Sequence, residues 1–331
     1  SSDGIGHMDD FPESMVILGA GVIGCEFASI FANIGKTKVY IIDKQDRILP
    51  FEDEDISELV SNNLTKKNVH IHKNTQLKRM DIINGRVEYE LLDKDGASHI
   101  FNVEKALISI GRIPNTSKLN LEKIGVVTAP SGHITDENTR TNIDNIYAVG
   151  DLTKHMALVN VAELEGRHAV EQMYGNPEPL TYKNISSIMF LDPEVATVGL
   201  NEQQARSMDL DYCLVKMDYS CITRAIAMRK TEGFLKILVT DDDDMKILGM
   251  RALGAHASSI IQAVALLISM NKGIDELINL IHPHPSIIEG VQEAVRMLRG
   301  NPIFKSSVFN DMLKCYRYKD GKISPLDQLL D

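Results

Sequence analysis

Tryptophan is absent from this 331-residue chain, and the longest apolar stretch, residues 263–270, is far too short to cross a bilayer. The opening residues carry no basic-then-apolar pattern, so the expectation is a soluble, cytoplasmic protein with no membrane partner. A basic surplus is also missing. Lys and Arg number 35 against 46 Asp and Glu, a net charge of −11 with no basic cluster, which argues against nucleic acid as a partner. Cysteine is scarce: Cys25, Cys213, Cys221 and Cys315 form neither C-x-x-C nor any metal-ligand spacing. No metal site is expected. The thiols read as small buried apolar groups in a reducing compartment.

What is present begins almost at once. Gly19-Ala20-Gly21-Val22-Ile23-Gly24 follows the apolar run 15–18 and opens the helical pattern 22–34, the strand–turn–helix context that gives a G-x-G-x-x-G motif its meaning. Gly19 suits a tight turn, Gly21 lets backbone approach a pyrophosphate, and Gly24 lets helix and strand pack closely. The phosphates would rest on the unpaired N–H groups of the helix start, Val22 and Ile23 included. Asp43 closes the next strand, 39–42, about 20 residues past the last glycine, where a carboxylate accepts from a ribose hydroxyl and repels a 2′-phosphate. This favours NAD over NADP, although Lys44 and Arg47 dilute the argument. A glycine-rich turn without a ligand is the alternative.

The chain is too long for one ordinary core. The β-α-β unit continues into an acidic helical segment, 51–68, with Ile56, Leu59, Val60 and Leu64 on one face, a short strand at 69–71, a hairpin over 87–92 and 98–103, and a buried strand at 106–110. These make a first domain over residues 1–115. A second, 116–180, holds a strand at 146–149 running into Gly150-Asp151, and a helix at 161–173. The third, 181–331, carries strands at 185–190, 195–198, 212–217, 234–240 and 247–252, then helices at 258–270, 274–281 and 287–299, an α+β pattern. The four aspartates 241–244 lack the alternation of a calcium loop and read as a solvated turn. In the tail, Phe304, Val308, Phe309, Met312 and Leu313 are spaced as one helical face.

Several segments together resemble the pyridine nucleotide–disulphide oxidoreductases, most nearly their dihydrolipoamide dehydrogenase branch. They are Pro12-Glu13-Ser14, the glycine motif, Asp46-Arg47-Ile48-Leu49-Pro50, Gly111-Arg112-Ile113-Pro114-Asn115, Tyr147-Ala148-Val149-Gly150-Asp151, Ala162-Glu163-Leu164-Glu165-Gly166, Asp192-Pro193-Glu194-Val195, and His282-Pro283-His284-Pro285-Ser286 with Glu289. The resemblance implies an α/β protein with a Rossmann-type NAD-binding domain, a central domain carrying part of an FAD site, and an α+β dimerisation domain. Family members begin with an FAD domain bearing its own fingerprint and a redox cysteine pair. Neither is in this sequence, which resembles the C-terminal two-thirds of such an enzyme.

The same resemblance implies roles. Gly111, Arg112 and Gly150 would line cofactor, Asp151 would hold a flavin ribityl hydroxyl, and the backbone of Ala157, Leu158 and Val159 would run along the flavin. As residues alone, Asp151 reads equally as a turn or helix-capping aspartate. Glu26 would contact the nicotinamide ribose or ring; alternatively it complements the helix dipole. His284 would be the acid–base for an exchanging thiol, oriented by Glu289, because a thiolate is the nucleophile and an imidazole titrates in the right range. Ser286 and Glu289 also form a capping-box pattern, so Glu289 has a structural alternative. His282 is expected to make a structural hydrogen bond, and His7, His70, His72 and His99 to lie on the surface. The implied activity passes hydride between NAD(H) and FAD, then electrons to a dithiol or disulphide, in a homodimer acting on a lipoyl-type substrate or lipoyl domain. Mercuric or glutathione-type reductases and soluble transhydrogenases are the rival enzymes, and a catalytically incomplete, NAD-binding, dimerising fragment is the rival class.

Overall fold

A computed structural model describes residues 2–305, 308–309 and 311–326. They divide into two compact units, one of Ser1–Ile110 with Ile188–Asp331, the other of Gly111–Ser187.

The first stretch of the larger unit is built as the glycine motif requires. Strand β1 (Ser14–Leu18) leads into helix α1 (Val22–Ile34), then β2 (Lys38–Ile42), α2 (Glu54–Lys66), β3 (His70–His72), β4 (Gln76–Ile83), β5 (Arg86–Leu92), β6 (Ser98–Val103) and β7 (Lys105–Ile108). A parallel four-stranded sheet has the order β3-β2-β1-β7, and β4-β5-β6 form a separate antiparallel layer. Strand β4 has no counterpart in the sequence reading. Its side chains are mostly exposed, so it carries little apolar signal. His72 is half-buried instead of exposed, tilted against Phe101 at 5.4 Å, and burial holds its pKa down.

The smaller unit contains one long helix, α3 (Val159–Tyr174), and several turns. Residues 146–149, read as a strand, make only a bridge from Tyr147 to Arg140, although Ala148 is buried. Apolar character reports burial there. It cannot supply a strand neighbour, and a ladder needs one.

Chain order continues with β8 (Ser186–Met189), β9 (Val195–Gly199), α4 (Glu202–Ser207), β10 (Tyr212–Asp218), α5 (Thr223–Met228), β11 (Phe234–Thr240), β12 (Ile247–Leu253), α6 (Ala257–Ser269), α7 (Asp275–Asn279), α8 (Ile288–Leu298), β13 (Leu313–Lys319) and β14 (Lys322–Pro325). Seven strands form one sheet in the order β14-β13-β10-β11-β12-β9-β8. Helices α6 and α8 pack on it through Ile260, Ile261, Val264, Val291 and Val295. The helical face expected over 304–313 is corrected: among the described residues Phe304, Val308, Phe309 and Met312 lie in turns and bends, and Leu313 opens a hairpin over 313–325 whose β13 pairs antiparallel with β10. An open β10 edge offers a row of unpaired backbone groups, and satisfying them outweighs helical spacing of a few apolar side chains. Residues 306, 307 and 310 within that expected face lie outside the described residues. Phe304 and Phe309 nonetheless pack against the core.

The two stretches of the larger unit share one core. Met189, Val195, Phe234 and Leu253 pack with Met15, Ile17, Phe31 and Ile56. Ion pairs reinforce the junction: Arg251 meets Glu52 at 2.9 Å, and Lys236, only 1% exposed, lies 2.7 Å from Asp53, 2.9 Å from Asp55 and 3.0 Å from Glu202. Tyr212 and Tyr316, the latter on β13, both donate to Glu202. Burial disfavours charge on Asp55, but Lys236 and Lys216 overcome it and hold the carboxyl below its ordinary pKa.

Candidate functional site

The glycine turn is shaped by backbone demands. Gly19 has φ +94°, and its N–H donates to Ile42 at 2.9 Å, joining the ends of β1 and β2. A Cβ on Gly24 would sit 2.0 Å from the Gly19 carbonyl oxygen, so helix and turn touch where only glycine fits. Gly21 is the opposite case. A Cβ there would meet nothing within 4 Å, and the space beside the turn is open. Gly21 is also the N-cap of α1, with no side chain capping it, and the first helical hydrogen bond runs from Cys25 N–H to Gly21. The amides of Val22, Ile23 and Gly24 therefore lack helical partners and point the positive end of the dipole outward.

Asp43 lies against this turn. Its Oδ2 accepts from Ala20 N–H at 2.6 Å and its Oδ1 from Gln45 N–H at 2.9 Å. Two backbone donors fix the carboxylate and leave it acceptor capacity for a hydroxyl. Cys25 is buried just behind, its thiol pushed up to about 12 by burial and by the charges of Asp43 and Glu26, which makes it an inert packing group. Glu26 is in the second turn of α1, beyond the reach of a first-turn dipole argument. Its Oε1 accepts from Phe190 N–H at 2.8 Å, a long-range tie to the end of β8 with no local signal.

In the smaller unit Arg112 Nη1 meets Asp151 Oδ2 at 3.1 Å, with both side chains more than half exposed. Gly111 and Gly150 have positive φ, +131° and +67°. Asp151 belongs to a single 3-10 turn and caps nothing with its side chain among the described bonds. Leu158 is the extended N-cap of α3 without a side-chain cap, Ala157 is exposed beside it, and Val159 is 79% exposed.

On the larger unit, His284 Nδ1 and Glu289 Oε1 are 2.8 Å apart, with the His284 side chain 68% exposed. Burial pushes the Glu289 carboxyl up, but the hydrogen bonds from His284 and Ser286 N–H prevail and hold it below its ordinary pKa. Only half of the capping box forms. Glu289 Oε2 accepts from Ser286 N–H at 2.7 Å, whereas the buried Ser286 Oγ has no partner, because the helix begins later, at Ile288. His282 Nε2 contacts the Leu277 carbonyl at 3.2 Å.

Sequence reasoning gave no role to Glu165, fully buried on α3 and bonded to Gly150 N–H, Tyr182 and His155. The signal was available. Val161, Glu165, His168 and Ala169 are spaced as one buried helical face, and a carboxylate at such a position needs partners. Among the described residues, no three His, Cys, Asp or Glu side chains are grouped to hold a metal ion, and no helix is long and apolar enough to cross a membrane.

Comparison with known proteins matches residues 2–166 to the profile "Pyridine nucleotide-disulphide oxidoreductase" and residues 185–295 to the dimerisation domain of the same name. Dihydrolipoyl dehydrogenase of Bacillus subtilis is 34% identical over 305 residues, 92% of this chain and 64% of that protein. The chain thus spans less than two-thirds of that relative's length. Among solved structures, LpdA from Mycobacterium tuberculosis aligns with a TM-score of 0.81 at 26% identity, over 88% of this chain and 63% of its own. The HOCl-induced flavoprotein disulfide reductase RclA from Escherichia coli aligns with a TM-score of 0.82 at 29% identity, over 90% and 67%.

Proposed function

The chain belongs to the pyridine nucleotide–disulphide oxidoreductase family, and from that premise we propose that it provides the NAD-binding and dimer-forming parts of a cytoplasmic flavoprotein disulphide oxidoreductase of dihydrolipoamide dehydrogenase type. In this reading residues 1–115 bind NAD, 116–180 carry part of the FAD site, and 181–331 make a homodimer whose substrate is a lipoyl-type disulphide.

The observation that carries the reading is the uncapped start of α1 beside an open Gly21, with Asp43 closing on Ala20 at 2.6 Å. Anion-accepting amides and a ribose-accepting carboxylate then share one turn, which fits a dinucleotide without a 2′-phosphate. The fit to flavin rests on Gly150, which bears no side chain, followed by the exposed carboxylate of Asp151. When bound, the flavin supplies the ring that exchanges hydride with the nicotinamide and electrons with a disulphide.

The chain's own contribution to the thiol step is a proton. A carboxylate only accepts, so Glu289 fixes the proton on Nδ1 of His284 and leaves Nε2 free to take one from a thiol. The exposed ring lets a partner subunit's sulfur reach it. Glu26, held by Phe190, is assigned the nicotinamide contact, and Gly111, Arg112 and the Ala157, Leu158 and Val159 backbone are assigned to line cofactor.

A second reading is favoured by one observation. Cys25, Cys213 and Cys221 are buried and Cys315 is partly so, with all four thiols pushed above their ordinary pKa by burial, so none is suited to exchange. By itself the chain would then bind NAD and dimerise without redox chemistry. Two measurements test these readings. In titrations, NADH should bind at least tenfold more tightly than NADPH, and Asp43→Ala should narrow that gap; equal binding by the parent would overturn the NAD assignment. Stoichiometric flavin absorbance in the purified chain would argue for the flavoenzyme, and a colourless protein for the incomplete form.

A further inference from the structure

Beneath the Gly150–Asp151 turn lies a cluster of ionisable groups used by neither the glycine motif nor the His284–Glu289 pair. All of it belongs to the smaller unit. Glu165 Oε2 accepts from Gly150 N–H at 2.6 Å, and its Oε1 lies 2.9 Å from the Tyr182 hydroxyl and 3.1 Å from His155 Nδ1. The far side of the imidazole faces Asp136, with Nε2 4.0 Å from Oδ1. Asp136 in turn accepts from Thr139 N–H at 2.9 Å. The Glu165 and Asp136 side chains are 1% and 3% exposed.

A carboxylate so deeply buried is costly unless every lone pair is occupied, and an apolar residue at the same helical position would avoid the cost. What Glu165 secures is a single residue. Gly150 is held at its N–H by Glu165 and at its carbonyl by the backbone and hydroxyl of Thr153, at 2.9 and 3.0 Å. Its φ of +67° and the 3.0 Å approach of a notional Cβ to Ala162 both favour glycine there. With the amide and the carbonyl of that residue both held, so is the direction in which Asp151 leaves the turn.

We propose that Glu165, tethered by His155 and Tyr182, is a positioning residue for Asp151, holding its carboxylate where a polyhydroxyl chain, the ribityl part of a flavin, can donate to it. The inference rests on the flavin role assigned to Asp151 above. Hydrogen bonding to a short carboxylate tolerates an error of only about 0.5 Å, so the support beneath the turn sets affinity without touching the ligand.

The test uses the 331-residue chain, with FAD and separately NADH titrated while the amide resonances of Gly150, Asp151 and Val22 are followed. Glu165→Gln should weaken FAD about tenfold or more, as expected for a lost charged hydrogen bond, and shift the Gly150 amide, while NADH affinity stays unchanged. Tyr182→Phe keeps the ring and loses only the hydroxyl, so it should weaken FAD by a smaller factor without endangering the fold. Combined with Asp151→Asn, Glu165→Gln should cost little more than Asp151→Asn alone, because one residue acts through the other. Unchanged FAD affinity in Glu165→Gln, or losses that multiply in the double variant, would overturn the positioning role. If FAD moves neither Gly150 nor Asp151 in the parent, the flavin role of Asp151 falls, and this inference with it.

Discussion

Replacing Lys236 with Met should destabilise the larger unit by about 3–5 kcal/mol, the cost found when one partner of a buried ion pair is removed. The ammonium is 1% exposed and within 2.7–3.0 Å of Asp53, Asp55 and Glu202. At an effective dielectric of about 20, each contact is worth roughly 6 kcal/mol, against several kcal/mol to desolvate each ion and the mutual repulsion of three carboxylates. The variant loses the attraction and keeps the repulsion. Asp55 retains Lys216, and Glu202 retains Arg206 and two tyrosines, so the uncompensated charge falls mainly on Asp53. Adding Asp53→Asn to Lys236→Met should therefore recover much of the loss. Without tryptophan, far-UV circular dichroism in urea is the suitable probe, at low and high salt. A buried cluster is poorly screened, so salt should change the difference little. A loss below about 1 kcal/mol, or no recovery with Asp53→Asn, would refute the reasoning.

Two glycines separate stability from binding. Gly24→Ala, whose Cβ would lie 2.0 Å from the Gly19 carbonyl, should cost about 1–3 kcal/mol in a urea melt, whereas Gly21→Ala, which meets nothing within 4 Å, should leave stability within about 0.5 kcal/mol while weakening NADH in a titration. A Gly21→Ala protein that binds NADH as the parent does would contradict the pyrophosphate's place. The lowered pKa of Glu289 sets an acid limit: its stabilisation is complete above the ordinary unfolded value near 4.3 and disappears as pH falls through the lower folded value. Melting temperature followed from pH 6 to pH 3 should thus fall less steeply in Glu289→Gln than in the parent, and parallel profiles would remove the linkage.

The most legible features were those encoded by neighbours in sequence. Helix α1 occupies residues 22–34 as its apolar period indicates, and Asp43 meets the glycine turn because β1 and β2 are adjacent parallel strands. His284 and Glu289 are five residues apart and meet across one turn. Features requiring distant partners were not legible. Lys236 sits inside the apolar run Phe234-Leu235-Lys236-Ile237-Leu238, and its partner Asp55 is 181 positions away. The hairpin over 313–325 depends likewise on the free edge of β10, about a hundred positions earlier. Glu26 shows the same limit, since its bond to Phe190 spans 164 positions and has no local signal.

The larger unit is discontinuous, and that has a consequence for how the chain is made. Glu52, Asp53 and Asp55 emerge from the ribosome long before Arg251 and Lys236, with the whole smaller unit synthesised in between. At about 5–20 residues per second, the 181 positions separating Asp55 from Lys236 represent roughly 10–35 s of translation. During that interval the carboxylates stay hydrated and the apolar side chains awaiting Phe234 and Leu253 remain uncovered. Whatever shields that surface from other nascent chains acts in those seconds, and a slow codon after residue 110 would prolong the exposure.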